Sequence, residues 1–136
     1  MKELTLPATL ENIAVVTAFV DEQLEALDCA MKAQIQIDVA IDELFGNIAH
    51  YAYGSETGDA TVRFDFDEAT CMASIAFIDS GVPFDPLAKA DPDVTLSAEE
   101  REIGGLGIFM VKKSMDKVEY RFENGSNILT IFKHIR

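Results

Sequence analysis

The chain has 136 residues, 49% of them hydrophobic and 26% charged, and a formal net charge of −13. That length suits one hydrophobic core and not two, so residues 1–136 are expected to form a single domain; the composition excludes disorder, and the apolar stretches are too short and interrupted to span a bilayer. With 11 Lys and Arg against 24 Asp and Glu, neutralising a nucleic-acid backbone is excluded, and a polyanionic ligand would have to be held by backbone N–H groups and a metal ion.

Met1–Pro7 lacks the basic, apolar and small-residue sequence of an export signal, which points to the cytoplasm. Leu4 and Leu6 alternate with polar residues as a short strand, and Thr9 stands where a helix N-cap would. Leu10, Ile13, Thr17, Val20, Leu24 and Leu27 then recur at the three-and-four spacing of an amphipathic helix. Cys29 and Cys71 have no Cys or His at zinc spacing and are expected to stay reduced and carry no chemistry. A second helix runs through Ile37, Ile41, Leu44, Phe45 and Ile48 and stops near Tyr53-Gly54-Ser55. Thr61–Phe66 and Cys71–Ile78 read as strands.

From Ser80 to Gly104 no period is sustained, and a loop of that length is expected to be a lid or binding loop. After it, Ile108–Met115 reads as a helix, Val118, Tyr120 and Phe122 as a strand, and Asn124-Gly125 as a hairpin turn into Ile128–Ile135. Hairpin-linked strands with helices gathered elsewhere predict an α+β fold: a two-layer sandwich whose mixed, mostly antiparallel sheet is covered on one face by helices.

Three elements carry candidate chemistry. Glu43 and Asn47, four residues apart, share one face of the second helix beside Asp38 and Asp42. Asp79 ends the most apolar strand and is followed by Ser80-Gly81; its carboxylate suits an exocyclic amine such as that of adenine, and the glycine lets a ring approach the backbone. Gly104-Gly105-Leu106-Gly107 opens a helix, where glycines and unpaired N–H groups suit phosphates. Each element alone also has an ordinary reading: a solvated helix face, a strand-to-loop turn, a helix cap.

Taken together, Glu43-Leu-Phe-Gly-Asn47, Asp79-Ser-Gly81 and Gly104-Gly-Leu-Gly107 resemble, in order and spacing, the N, G1 and G2 boxes of the GHKL ATPase fold. The short length, Asn47-Ile-Ala-His-Tyr-Ala-Tyr53 and the run from Gly104 to Asp116 are similar, within that fold, to the anti-sigma-factor serine/threonine kinases. The resemblance implies that Glu43 is the general base and Asn47 the Mg²⁺ ligand. It further implies that Asp79 reads adenine beside Gly81 and that Gly104, Gly105 and Gly107 cradle the phosphates of ATP. Arg101, the arginine of the long loop, is either a γ-phosphate contact or an exposed residue among Glu99, Glu100 and Glu102. Tyr51 stands where the family commonly has His, so His50 receives no role, and Lys112 and Lys113 read as a solvated face.

The function implied is an ATP-binding anti-sigma regulatory factor that acts as a protein serine kinase on an anti-anti-sigma partner and otherwise sequesters a sigma factor, with homodimerisation as a further family trait. The alternative is a non-catalytic, ATP-gated binding module.

Overall fold

The structure, a computed structural model, describes residues 1–54, 56–87 and 105–136, and of Gly105 and Leu106 only the backbone. Five strands form one sheet in the order β1-β2-β3-β5-β4, where β1 is Lys2–Pro7, β2 Asp59–Asp67, β3 Met72–Asp79, β4 Lys117–Glu123 and β5 Ser126–His134. All four ladders are antiparallel. The predicted Asn124-Gly125 turn joins β4 to β5: Glu123 pairs with Ser126, and both turn residues have positive φ, 52° and 79°, the requirement of a type I′ hairpin that Asn and Gly meet at least cost.

Alternation along the strands buries one face. Ala60, Val62 and Phe64, Ala73, Ile75 and Phe77, and Leu129 and Ile131 face a helical layer made of α1 (Ile13–Ala26), α2 (Met31–Asn47) and α3 (Gly105–Ser114). The result is an α+β two-layer sandwich. In α1 the buried stripe is Val16, Val20 and Leu24, with Ile13 and Leu27 packed beside it. Val16 rather than Thr17 therefore faces the core, which keeps a hydroxyl out of apolar surroundings. Ahead of α1, Leu10–Asn12 form a 3₁₀ turn; Thr9 is its N-cap by backbone but makes no side-chain cap bond, and the Asn12 amide instead donates to the Pro7 carbonyl at 2.7 Å.

α1 and α2 pack together, and their contact holds one costly feature. Asp21 Oδ1 on α1 and Asp38 Oδ1 on α2 are buried without a hydrogen-bond donor, because two ionised carboxylates have none to offer. A proton between them supplies one. Burial, the hydrogen bond with Asp21 and the charges of Asp21 and Glu25 push the Asp38 carboxyl up to about 7. The folded chain thus holds a proton that the unfolded chain releases near pH 4, so this site's stabilisation is present at low pH and is lost as pH rises toward 7. Asp38→Asn is expected to match wild type near pH 4 and to melt about 3–5 °C higher at pH 8, corresponding to about 1 kcal/mol once solvent screening is allowed for. Coincident melting-temperature curves for the two proteins across that range would remove this role from the pair.

Candidate nucleotide-binding site

The site is built where α2 ends. Asn47 is the last α-helical residue, and Ile48–Ala52 continue as a single π-turn, a widened geometry that recurs at functional sites. The turn carries the Ala52 carbonyl to the end of β3, where it accepts the Val82 N–H at 2.9 Å. Gly81 is obligatory at this crossing: a Cβ there would sit on the Ala52 carbonyl.

The segment after β3 is anchored residue by residue. The Ser80 N–H donates to the Tyr53 hydroxyl at 2.9 Å, which itself donates to the Asp59 carbonyl at 2.6 Å. The Gly81 N–H donates to Asp79 Oδ1 at 2.9 Å, and the Phe84 N–H to Asn127 Oδ1 at 3.1 Å. Pro83 has no N–H to satisfy, so every backbone donor from Ser80 to Phe84 has an acceptor. The beginning of the predicted lid is therefore a fixed wall; its remainder, residues 88–104, lies outside the described residues.

A cleft opens between this wall, α2 and the sheet. Its apolar floor is Leu44, Ile48, Phe77 and Leu129, its rim Tyr51, Phe84, Pro86 and Tyr120, and its polar groups are those of Asn47, Asp79 and Asn127. Largely apolar walls with a few placed polar atoms are what an aromatic base requires. Asp79 is 7% exposed. Its Oδ1 accepts both the Gly81 N–H at 2.9 Å and the Asn127 amide at 3.0 Å, which leaves Oδ2 as the acceptor available to an occupant of the cleft.

Beside the cleft, Asn47 Nδ2 donates to Glu43 Oε1 at 3.3 Å, leaving Asn47 Oδ1 with its lone pairs unused among the described residues. The Glu43 carboxylate lies against the first turn of α3: a Cβ on Gly107 would occupy the place of its Cδ and both oxygens. Gly105 is the first residue of α3, and the opening turn of a helix has N–H groups without intrahelical acceptors. Among the described residues no three His, Cys, Asp or Glu side chains gather as a metal cage.

Of the residues expected from sequence, Glu43, Asn47, Asp79, Gly81, Gly105 and Gly107 are placed on the elements that frame this one region, whereas Arg101 and Gly104 lie outside the described residues. Asn127, Tyr120 and Tyr53 were not anticipated. Tyr120 and Asn127 sit inside an ordinary strand alternation, and only a polar residue at a core position of β5 could have flagged Asn127. Burial raises the pKa of the Tyr120 phenol above its ordinary value, with the Asp85 and Asp79 charges acting in the same direction and a hydrogen bond with the Phe84 backbone acting against them, so its hydroxyl keeps the proton it donates to Asn127. No helix among the described residues is long and apolar enough to cross a membrane.

Comparison with known proteins accords with this architecture. Residues 6–133 match the family described as histidine kinase-like ATPase domain. The serine-protein kinase RsbW of Bacillus mycoides (strain KBAB4) is 25% identical over 131 residues, an alignment covering 93% of this chain and 81% of that protein. The protein of the same name from Bacillus cereus (strain B4264) is 26% identical over 133 residues with the same coverage. The fold is similar to a crystal structure of RsbU and RsbW domains from Mycobacterium tuberculosis, with a TM-score of 0.68 at 16% identity, covering 99% of this chain and 33% of that one. With its antiparallel sheet, the helices packed on it and this match over nearly its whole length, the chain belongs to the histidine kinase-like (GHKL) ATPase domain family, within which it is similar to the serine-protein kinases named RsbW.

Proposed function

We propose that this chain is an ATP-dependent protein serine kinase that phosphorylates an anti-anti-sigma protein and otherwise sequesters a sigma factor. The observation that carries the nucleotide is the division of labour within Asp79: Oδ1 is taken up by two protein donors, and Oδ2 is the unused acceptor of a carboxylate that lines an apolar cleft. Adenine fits that arrangement through its exocyclic amine, with the ring against Phe77, Ile48 and Leu129. The phosphates extend toward Asn47 and the first turn of α3, where Gly105 and Gly107 offer backbone without side chains. Asn47 Oδ1 would hold Mg²⁺, which neutralises phosphate charge when bound.

In this reading Glu43 acts as the general base. A partner's serine hydroxyl attacks the γ-phosphorus, the bond from phosphorus to the ADP oxygen breaks, and the hydroxyl proton passes to the Glu43 carboxylate. The name serine-protein kinase carried by the Bacillus relatives supports this reading. A homodimer belongs to the same proposal.

Two measurements test it. Titration calorimetry should show ATP and ADP binding more tightly than GTP, because guanine presents a carbonyl oxygen to Asp79 Oδ2, a mismatch worth about 1–3 kcal/mol or roughly 5- to 150-fold. Asp79→Asn should lose that preference, since an amide cannot accept on both sides; equal affinities in the wild type would remove the adenine assignment. Incubation with γ-labelled ATP and the co-purified partner should then label the partner. Binding of ATP and partner without any label would replace the kinase by the ATP-gated binding module.

A further inference from the structure

Asn127 is 6% exposed and faces Asp79 across the β3–β5 ladder, its register partner. Its side-chain amide is saturated. Nδ2 donates to Asp79 Oδ1 at 3.0 Å and to the Val82 carbonyl at 2.9 Å. Oδ1 accepts the Tyr120 hydroxyl at 2.5 Å and the Phe84 N–H at 3.1 Å. Two N–H donors and two lone pairs are all that an Asn amide possesses. Turning the amide over would set its oxygen against the Asp79 carboxylate and the Val82 carbonyl and its NH₂ against the Phe84 N–H, so the network admits one orientation.

With nothing left for a ligand, Asn127 does not read the base. We infer that it is the positioning residue for nucleobase selectivity: it holds Asp79 by Oδ1, so that Oδ2 is the oxygen presented to the cleft, and it ties that carboxylate to the Val82–Phe84 wall and to Tyr120. This inference rests on the ATP-binding reading above and adds a residue to it. The Gly81 N–H alone leaves Asp79 one bond about which to swing; the Asn127 donor removes that freedom, and the wall that carries Phe84 moves only together with the carboxylate.

The test is titration of ADP, ATP and GTP at pH 5.5 and pH 8.5 into wild type, Asn127→Asp and Tyr120→Phe, reading each variant's affinity relative to wild type at the same pH so that the nucleotide's own titration cancels. Asn127→Asp is nearly isosteric but lacks both donors. At pH 8.5 the introduced carboxylate faces Asp79 from β3, with Asp85 and the Tyr120 phenol as its other titratable neighbours, and relative ADP affinity should fall about 10- to 100-fold with loss of the ATP-over-GTP preference. At pH 5.5 a proton shared with Asp79 restores a donor, and most of the loss should be recovered. Wild-type affinity and selectivity at pH 8.5, or an equal loss at both pH values, would overturn the inference. If Asn127→Asp does not fold, Tyr120→Phe decides. Removing one donor to Oδ1 should lower the ATP-to-GTP affinity ratio about two- to tenfold in a protein that still folds, and an unchanged ratio overturns the inference. A wild type that binds no adenine nucleotide would instead sink the underlying reading, and a wild type that binds selectively beside variants that do so equally well would sink this inference alone.

Discussion

Glu43→Gln is expected to slow phosphoryl transfer from ATP to the partner by roughly 10²–10⁴-fold while leaving ADP affinity within about threefold of wild type. The amide keeps the size of the carboxylate and can still accept the Asn47 bond, but it cannot take the proton of an attacking hydroxyl, so the loss falls on the transition state. Gly107→Ala is expected to lose phosphoryl transfer as well, by a different route. The added methyl takes the place of the Glu43 carboxylate, and the far end of a flexible side chain moves aside at small cost. Within a helix, alanine is also favoured over glycine by up to about 1 kcal/mol. A protein that folds at least as well as wild type and does not transfer phosphate is the expected result, read by single-turnover transfer of labelled phosphate and by thermal melting. Rapid transfer by Glu43→Gln would remove the general-base role.

Gly81→Ala should behave in the opposite way, because the atom in the path of its Cβ is the backbone carbonyl of Ala52 rather than the end of a side chain. Relief requires the Ser80–Val82 segment or the π-turn to move, which breaks the Val82 to Ala52 hydrogen bond of 2.9 Å. Overpacking of this kind costs about 1–3 kcal/mol, and the lost bond adds about 1. For a chain of 136 residues the sum lowers the melting temperature by roughly 8–15 °C. ADP binding should fall as well, since the same movement drags Asp79 Oδ1 off its Gly81 donor. A Gly81→Ala protein that melts with wild type would mean that the crossing has slack the backbone contact denies. The two glycines, alike in sequence as parts of loose boxes, are therefore distinguished by what each one touches.

Much of the fold was legible because its signals are local. The three-and-four spacing of α2, the alternation in β2, the apolar run of β3 and the Asn124-Gly125 turn need only near neighbours along the chain, and all of these elements are where their patterns predict. Glu43 and Asn47 share a helical face by spacing alone, and Asp79 ends its strand where the apolar run of 71–78 stops. What spacing could not supply was the meeting of parts distant in sequence. The Asn127 amide reaches Asp79 across 48 residues and Val82 across 45, and the Tyr53 hydroxyl receives the Ser80 N–H across 27. In the sequence Asn127 lies between the Asn124-Gly125 turn and the strand read from Ile128, and its burial follows only once β5 has inserted between β3 and β4. The same holds for the Glu43 carboxylate on Gly107, since a glycine before a helix permits close approach without saying what approaches. Local periodicity chose the elements and placed the reactive side chains on their faces; the order of strands in the sheet and the seating of α3 on α2 decided which of those side chains meet, because a hydrogen bond requires positions set to a fraction of an ångström and only packing supplies them.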